Sequence, residues 1–461
     1  MSFSDLTFLF YFLPLFFAVY YLVPFRCKNT VLVLGSAAFY FLGAGARDAL
    51  LLGASVLFHY FLARAMDGKS VRARRALLLF GLCVDLFGLV YFKYAAFLLE
   101  NLGKLTGTAF SLVELALPLG ISFYLFQSVG YLIDVSRGRP AEKSFVDFSA
   151  FVLAFPQLTM GPILRYDEWR GALKSRTIAR EDVFLGFERF LVGLCFKVLL
   201  ADQLAPLWAS LERIGYGYLS TPLAWLGAVS YSLQLYFDFS GYSLMAMGLG
   251  QMLGLPVPRN FDLPYTARSV SEFYRRWHIT LGTWFRDYLY IPLGGSRRGK
   301  ARTALALTVV WVFTGLWHGA SWNFVLWGVM LLAFILLEKF CIGGFLKKHA
   351  LLSHLYLLFV IPQTWVIFRI TRLSDVGAYF SRLFPFFGTH SAVSAQDALK
   401  LLASYWWLLL LAIFFCLPQP RRFYEKHRGS LALDLPLFLL FWVCVYFIAT
   451  SSGNAFLYSR F

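Results

Sequence analysis

The chain has 461 residues, of which 59% are hydrophobic, 19% aromatic and only 15% charged, and its mean hydropathy is +0.64. This composition leaves too little polar surface for a soluble globule and indicates a polytopic membrane protein. The net charge of +17 could indicate nucleic-acid binding, but the basic residues form short clusters between apolar runs. Such clusters are typical of cytoplasmic loops in membrane proteins, so we expect no nucleic-acid partner.

The amino-terminal third predicts membrane-crossing segments separated by short basic loops. Residues 8–23 lack a basic leader and a small-residue cleavage site, which predicts an uncleaved first span with the N-terminus outside. Residues 31–43 and 49–63 flank the sequence GAGARD and predict a tight hairpin ahead of the basic loop 69–75. His59 in the second run is expected to be a packed, hydrogen-bonded residue.

Residues 118–140 are predicted to cross the membrane inward, and the segment that follows them is apolar but broken. Residues 145–164 contain Pro156, Gly161 and Pro162 and carry basic residues on both flanks. Equal charge on both sides argues against a simple span. Broken backbone at membrane depth is tolerated where protein or a cavity satisfies its polar groups, so a re-entrant segment is predicted.

Asp238 lies in the apolar and aromatic run 221–253. A carboxylate there requires a partner, a protonated state or a watery cavity. Two interpretations stay open, namely an ion pair with an arginine of the following basic segment and contact with a substrate. Gly241 and Gly248, seven residues apart, predict a helix face that another helix approaches closely.

The stretch from residue 260 to residue 328 carries the strongest functional signals. Ser269 and Glu272 form an S-x-x-E capping box, which predicts a helix running toward Tyr290. Its helical spacing predicts an aromatic face at headgroup level, with Trp277, Leu281, Trp284 and Tyr288, and a polar face with Arg276, Thr280, Thr283 and Asp287. The glycine-containing loop 292–302 is predicted to be cytoplasmic, and its alternative role is phosphate contact through Arg297, Arg298 and Lys300.

Two histidines in this stretch are candidates for chemistry. His278 follows the arginine-rich run, and His318 lies in WVFTGLWHGASWNFVLWG, a segment apolar enough for membrane depth. An ionisable residue there suggests function, and a neutral imidazole suits proton transfer near neutral pH. The alternative for His318 is a core histidine bonded to a backbone carbonyl.

Several long motifs of the chain resemble one family. YFDFSGYS, PRNFDLPY, EFYRRWH, WFRDYLYIPLGG and GLWHGASWNFVLWG occur in the order and spacing of the membrane-bound O-acyltransferase family, and most resemble its bacterial alginate O-acetylase branch. PLGISFYLFQSVGYLIDVSRG, MGPILR and the closing FLYSRF extend the resemblance over nearly the whole chain. Leu244, Tyr274 and Ser296 depart from residues common in the family.

The resemblance implies an all-α polytopic membrane protein of the bacterial cytoplasmic membrane, with a single domain over residues 1–461 and a catalytic core at about 118–338. It implies roughly 11 transmembrane helices, plus re-entrant and interfacial helices, around a central tunnel. His318 matches the catalytic histidine and His278 the second motif residue, for which we expect a role in orienting the thioester or stabilising the oxyanion. The candidates for lining the tunnel are Asp238, Arg276, Trp277, Asp287, Trp317, Ser321 and Trp322.

The same resemblance implies an activity and its participants. The expected reaction moves an acetyl group from a cytoplasmic thioester, acetyl-CoA, to an exopolysaccharide such as alginate, through a periplasmic hydrolase-like (SGNH-type) acetyltransferase. Neither a metal nor a bound cofactor is expected. The alternatives are D-alanyl transfer to teichoic acid, acetylation of peptidoglycan or cellulose and, from another class, a polysaccharide or lipid transporter.

Overall fold

The structure is a computed structural model that describes residues 1–110, 116–387, 394–451 and 456–457. Within these ranges the chain is helical, and the β-structure consists of an isolated antiparallel bridge between Phe261 and Trp277. Of the closing FLYSRF motif, only the first two residues lie inside the described ranges. The all-α prediction is confirmed.

The α-helices are numbered here in chain order. They are α1 Leu13–Leu22, α2 Phe25–Met66, α3 Val71–Leu89, α4 Ala95–Thr106, α5 Ile121–Ser136, α6 Phe145–Leu153, α7 Tyr166–Lys174, α8 Arg180–Cys195, α9 Asp202–Ile214, α10 Thr221–Leu253, α11 Val270–Arg276, α12 Ile279–Phe285, α13 Lys300–His318, α14 Trp322–Leu337, α15 Gly343–Lys348, α16 Ala350–Arg369, α17 Leu373–Leu383, α18 Gln396–Phe415, α19 Pro418–His427 and α20 Leu431–Thr450. Short π-helical segments extend several of them, at Phe8–Phe12, Val90–Tyr94, Phe196–Ala201, Arg286–Tyr290 and Glu338–Ile342. Single 3₁₀ turns lie at Tyr216–Tyr218, Pro264–Thr266 and Pro385–Phe387.

Six helical stretches of the described chain are long and apolar enough to cross a membrane. A span requires about 20 mainly apolar residues. The six are Phe25–Met66, Val71–Thr106, Trp322–Lys348, Ala350–Arg369, Gln396–Phe415 and Leu431–Thr450. They establish a multi-pass membrane protein, whereas the total of roughly 11 spans stays a prediction.

The described chain forms two compact units. Within the described residues, the first comprises residues 1–190, 242–258 and those from 448 onward, and the second comprises residues 191–241 and 259–447. Both candidate histidines belong to the second unit. The assignment of the whole chain to a single domain stays a prediction.

In the first unit, the sequence predicts breaks at GAGARD and within residues 145–164, and the backbone leaves helical geometry at both places. Gly45, inside GAGARD, has φ 85° and ψ 175°, and this residue interrupts α2. Helix α6 ends at Leu153, so its nine residues extend only about 14 Å. This is less than half of the hydrocarbon thickness, and the turns that follow are buried, as a re-entrant segment requires.

His59 behaves as a packed histidine of the first unit. Its Nε2 lies 3.1 Å from Asp85 Oδ2, and its Nδ1 lies 2.7 Å from the carbonyl oxygen of Ser55. Both side chains are buried. The hydrogen-bonded role predicted for His59 is confirmed.

In the second unit, α13 and α14 pack closely because both helices carry a glycine at the crossing. A Cβ on Gly315 would lie 2.5 Å from the carbonyl oxygen of Phe324, and a Cβ on Gly328 would lie 2.6 Å from that of Trp311. No side chain fits at either distance. The close crossing fixes the end of α13, where His318 lies.

Candidate active site

The segment that carries His278 is two short helices and not the single helix predicted. Ser269 caps α11 as expected, since its side chain accepts a hydrogen bond from Glu272 N at 3.0 Å. The helix ends at Arg276, and His278 itself adopts left-handed backbone angles, φ 48° and ψ 52°. The prediction of a continuous helix to Tyr290 is therefore wrong.

The break has a tertiary cause that the local sequence does not contain. Residues 260–262 run beside residues 276–279, where Asp262 N donates to Arg276 O and Ile279 N donates to Asn260 O, each at 2.9 Å. These bonds satisfy backbone groups that a continuous helix would pair internally. They also bury Trp277, so this residue is not an anchor at headgroup level.

His278 is buried in a polar cluster with an aromatic wall. Its Nδ1 lies 3.1 Å from Asn260 Oδ1, and this oxygen also accepts from Thr280 N at 3.2 Å and from Thr280 Oγ1 at 2.9 Å. The imidazole packs edge to face against Phe239, with ring centroids 4.8 Å apart. Burial lowers the pKa of His278 to about 3, so the ring is neutral at pH 7.

His318 is the last residue of α13 and is also buried. Trp327 and Phe368 pack edge to face against its ring, each with centroids 5.0 Å away. The Trp317 ring lies 4.8 Å from the His318 ring and 5.9 Å from the His278 ring. One indole therefore packs against both histidines, and the surroundings of His318 are buried and aromatic.

Glu338 fixes the start of the helix that leads to His278. Its buried carboxylate accepts hydrogen bonds from Val270 N at 2.5 Å, from Ser271 N at 2.9 Å and from Ser271 Oγ at 2.6 Å. The two backbone amides belong to the first turn of α11, where a negative charge is favourable. A carboxylate 68 residues further along the chain thus determines where α11 lies.

A cavity of about 940 Å³ in the second unit brings the two histidines to one space. Its buried lining includes His278, His318, Trp277 and Trp327. Its exposed lining carries five basic residues, which we call the basic wall, namely Arg268, Arg275, Arg286, Lys339 and Lys347. The two carboxylates of the lining, Glu272 and Glu338, are engaged in the bonds of α11. The cavity thus joins a positively charged exposed region to a buried, largely aromatic region with two imidazoles.

Most of the other sequence candidates lie outside this lining. Arg276 pairs with Glu272 at 2.6 Å, and Asp287 pairs with Arg286 at 2.6 Å. Trp317 contacts both histidines without being part of the lining. Ser321 precedes α14, and Trp322 is half exposed. The loop residues Arg297, Arg298 and Lys300 are exposed and do not line the cavity.

Asp238 forms a buried ion pair and is not part of the cavity lining. Lys197 Nζ lies 2.9 Å from Asp238 Oδ1 and 2.6 Å from Asp202 Oδ1. The partner is thus a lysine that precedes Asp238 in the chain, and not an arginine of the following segment. A paired buried charge avoids the cost of an isolated one.

The sequence reasoning overlooked three features of the site: Asn260, Glu338 and the basic wall. Asn260 belongs to PRNFDLPY, a motif whose family resemblance does not reveal that Asn260 contacts a histidine. Glu338 is the single acidic residue in the long apolar run 322–338, which by itself could have drawn attention to it. The members of the basic wall are scattered over residues 268–347, so no local cluster indicated them.

Comparisons with known proteins agree with this fold. Residues 77–373 match the profile of MBOAT, the membrane-bound O-acyltransferase family, and this range contains both histidines. A probable alginate O-acetylase AlgI from Azotobacter vinelandii is 40% identical over 400 residues, which cover 84% of this chain and 78% of that protein. A peptidoglycan O-acetyltransferase from Helicobacter pylori is 30% identical over 100% of this chain and 98% of its own. A teichoic acid D-alanyltransferase from Streptococcus thermophilus is 32% identical over 46% of this chain and 54% of its own.

These matches define a class, the multi-pass bacterial membrane enzymes that transfer acyl groups to oxygen. The chain belongs to the membrane-bound O-acyltransferase family.

Proposed function

We propose that this enzyme transfers an acetyl group from acetyl-CoA, supplied on the cytoplasmic side, to an acceptor hydroxyl group. This transfer supplies the acetyl groups for the O-acetylation of an exopolysaccharide. The observation that supports the proposal is the cavity, in which an exposed basic wall leads to two buried histidines. Coenzyme A carries phosphates at one end and its thioester at the other. Arginine and lysine suit the phosphates, and the dry aromatic end suits the acyl group.

In the proposed reaction, His318 accepts the proton of the acceptor hydroxyl as its oxygen attacks the thioester carbonyl. The tetrahedral intermediate then collapses, the carbon–sulfur bond breaks, and the imidazolium returns the proton to the leaving thiolate. The ester and the free thiol are the products, so no proton is gained or lost overall. The aromatic rings around His318 exclude the water that would hydrolyse the thioester.

The proposed final acceptor is alginate or a related polysaccharide, reached through a periplasmic acetyltransferase partner. The alginate O-acetylase relatives are about 40% identical to this chain over most of its length, and the peptidoglycan O-acetyltransferase is 30% identical. The D-alanyltransferase match covers less than half of the chain. D-Alanyl transfer is therefore the weaker alternative.

The experiment that tests this function measures polymer-bound acetate in cells that contain equal amounts of wild-type or variant protein in the membrane. We expect His318→Ala to lower acetylation by about 10² to 10⁴-fold, the usual contribution of a positioned general base. The matched control is His349→Ala, since His349 is exposed and lies outside the cavity lining. Normal acetylation in His318→Ala cells would disprove the catalytic assignment, and acetate on peptidoglycan alone would redirect the acceptor.

A further inference from the structure

The hydrogen bonds around Asn260 determine which nitrogen of His278 carries its proton. The backbone N–H of Thr280, 3.2 Å away, can only donate, so the side-chain atom of Asn260 that it faces is the oxygen and not the amide nitrogen. The hydroxyl group of Thr280 lies 2.9 Å from the same oxygen. The orientation of the Asn260 amide is thus set independently of the histidine.

The same oxygen lies 3.1 Å from His278 Nδ1. A carbonyl oxygen has no hydrogen to give, so Nδ1 must be the donor. In a neutral imidazole one nitrogen donates and the other accepts, and Nε2 therefore carries the lone pair.

We infer that Asn260 is a positioning residue that holds His278 in its Nδ1–H tautomer, so that Nε2 serves the acyl transfer as an acceptor of a hydrogen bond or proton. This inference rests on the proposed function. It replaces the role of oxyanion donor expected from the sequence, because a neutral Nε2 has no hydrogen to offer an oxyanion. The oxyanion then requires other donors, for which backbone and indole N–H groups of the cavity are suitable.

The surroundings of His278 make its titration a usable signal. The rings packed against it, Phe239 of α10 and Trp317 of α13, are not titratable, and Asn260 is neutral. The charged groups of the same cavity are the basic wall together with Glu272 and Glu338, and the other imidazole is His318. A carboxylate introduced at position 260 would therefore be a new negative charge beside Nδ1, and it would raise the pKa of His278.

The decisive variant is Asn260→Asp, because a carboxylate still accepts from His278 Nδ1 and Thr280 N. We expect it to fold and to retain activity at pH 8, with the pKa of His278, read from the NMR signals of its imidazole, at least about one unit above that of the wild type. Asn260→Ala removes the acceptor that fixes the tautomer of His278. We expect kcat to fall about 10²-fold or more, while the KM for the thioester changes little. Thr280→Val removes only one hydrogen bond from the same amide and should cost at most about fivefold.

The measurements are the pKa of His278, from its imidazole NMR signals between pH 3 and pH 8, and acetyl-CoA consumption by purified protein in vesicles, with acceptor and partner supplied. Thermal unfolding of each variant reports folding, and the Asp variant alone decides the case if the Ala variant does not fold. An unshifted pKa of His278 in Asn260→Asp, or equal losses of activity in all three variants, would overturn the inference and leave Asn260 a structural residue. Failure of the wild type itself to transfer acetyl groups would instead overturn the proposed function, and the role of Nε2 with it.

Discussion

At the scale of single residues, the basic wall and the basic loop 292–302 are alternative candidates for binding the phosphates of the donor. The wall residues line the cavity that contains both histidines, whereas Arg297 and Arg298 do not. Charge-assisted bonds to phosphate require proximity. The site of donor binding should therefore be the wall and not the loop, for which the sequence left phosphate contact as the alternative to a purely topological role.

We expect Arg275→Gln combined with Lys339→Gln to raise the KM for acetyl-CoA by about tenfold or more, since each such bond is worth about 1.5 to 3 kcal/mol. The value of kcat should change little, because both side chains belong to the exposed lining of the cavity. The matched control is Arg297→Gln with Arg298→Gln, which removes the same charge from the exposed loop. A KM that rises equally in both pairs would show that net charge matters and that the wall does not bind the donor.

The residues of the site were predictable to different degrees. His318 and His278 were identified from motifs because an imidazole among apolar or arginine-rich residues is uncommon. Asn260 was not, because its role depends on hydrogen bonds to residues 18 and 20 positions away. Such pairings are properties of the fold and leave no periodic pattern in the sequence.

At the scale of elements, α11 has too few residues to be stable alone. It has seven residues, and isolated helices shorter than about 12 residues are marginal in water. Local signals predicted its start at Ser269 correctly, but they could not predict its end, which depends on the pairing with residues 260–262. Glu338 supplies the second anchor of the helix.

We expect Glu338→Gln to lower the stability of the protein by about 1 to 3 kcal/mol, because an amide NH₂ group would face N–H groups that need an acceptor. The activity should fall as α11 and His278 lose their position, while the KM for the donor stays similar. Thermal unfolding in detergent and acetyl transfer at matched protein amounts measure both effects. The control is Glu425→Gln, an exposed partner of Arg421, for which little change is expected. Equal behaviour of the two variants would show that Glu338 does not hold α11.

At the scale of the whole molecule, composition and hydropathy were enough to predict a multi-pass helical membrane protein. They were not enough to predict the number of spans. Six helices meet the length and composition of a span, whereas others are shorter, kinked or extended by π-helical segments. Helix length alone does not distinguish a tilted span from a re-entrant segment. Orientation in the membrane therefore rests on the basic loops.

The loops 69–75, 297–302 and 421–428 are predicted to face the cytoplasm because cytoplasmic loops carry an excess of lysine and arginine. In the second unit, an ion pair between Arg421 and Asp262 further requires residues 259–262 and α19 to lie on the same side of the membrane. With the native cysteines replaced by serine, Lys69→Cys, Arg298→Cys and Arg422→Cys should resist an impermeant thiol reagent in spheroplasts and react after the membrane is opened. Thr108→Cys lies in a loop predicted to be outside and should react in both conditions. Reaction of any of the three basic-loop cysteines in sealed spheroplasts would refute this orientation.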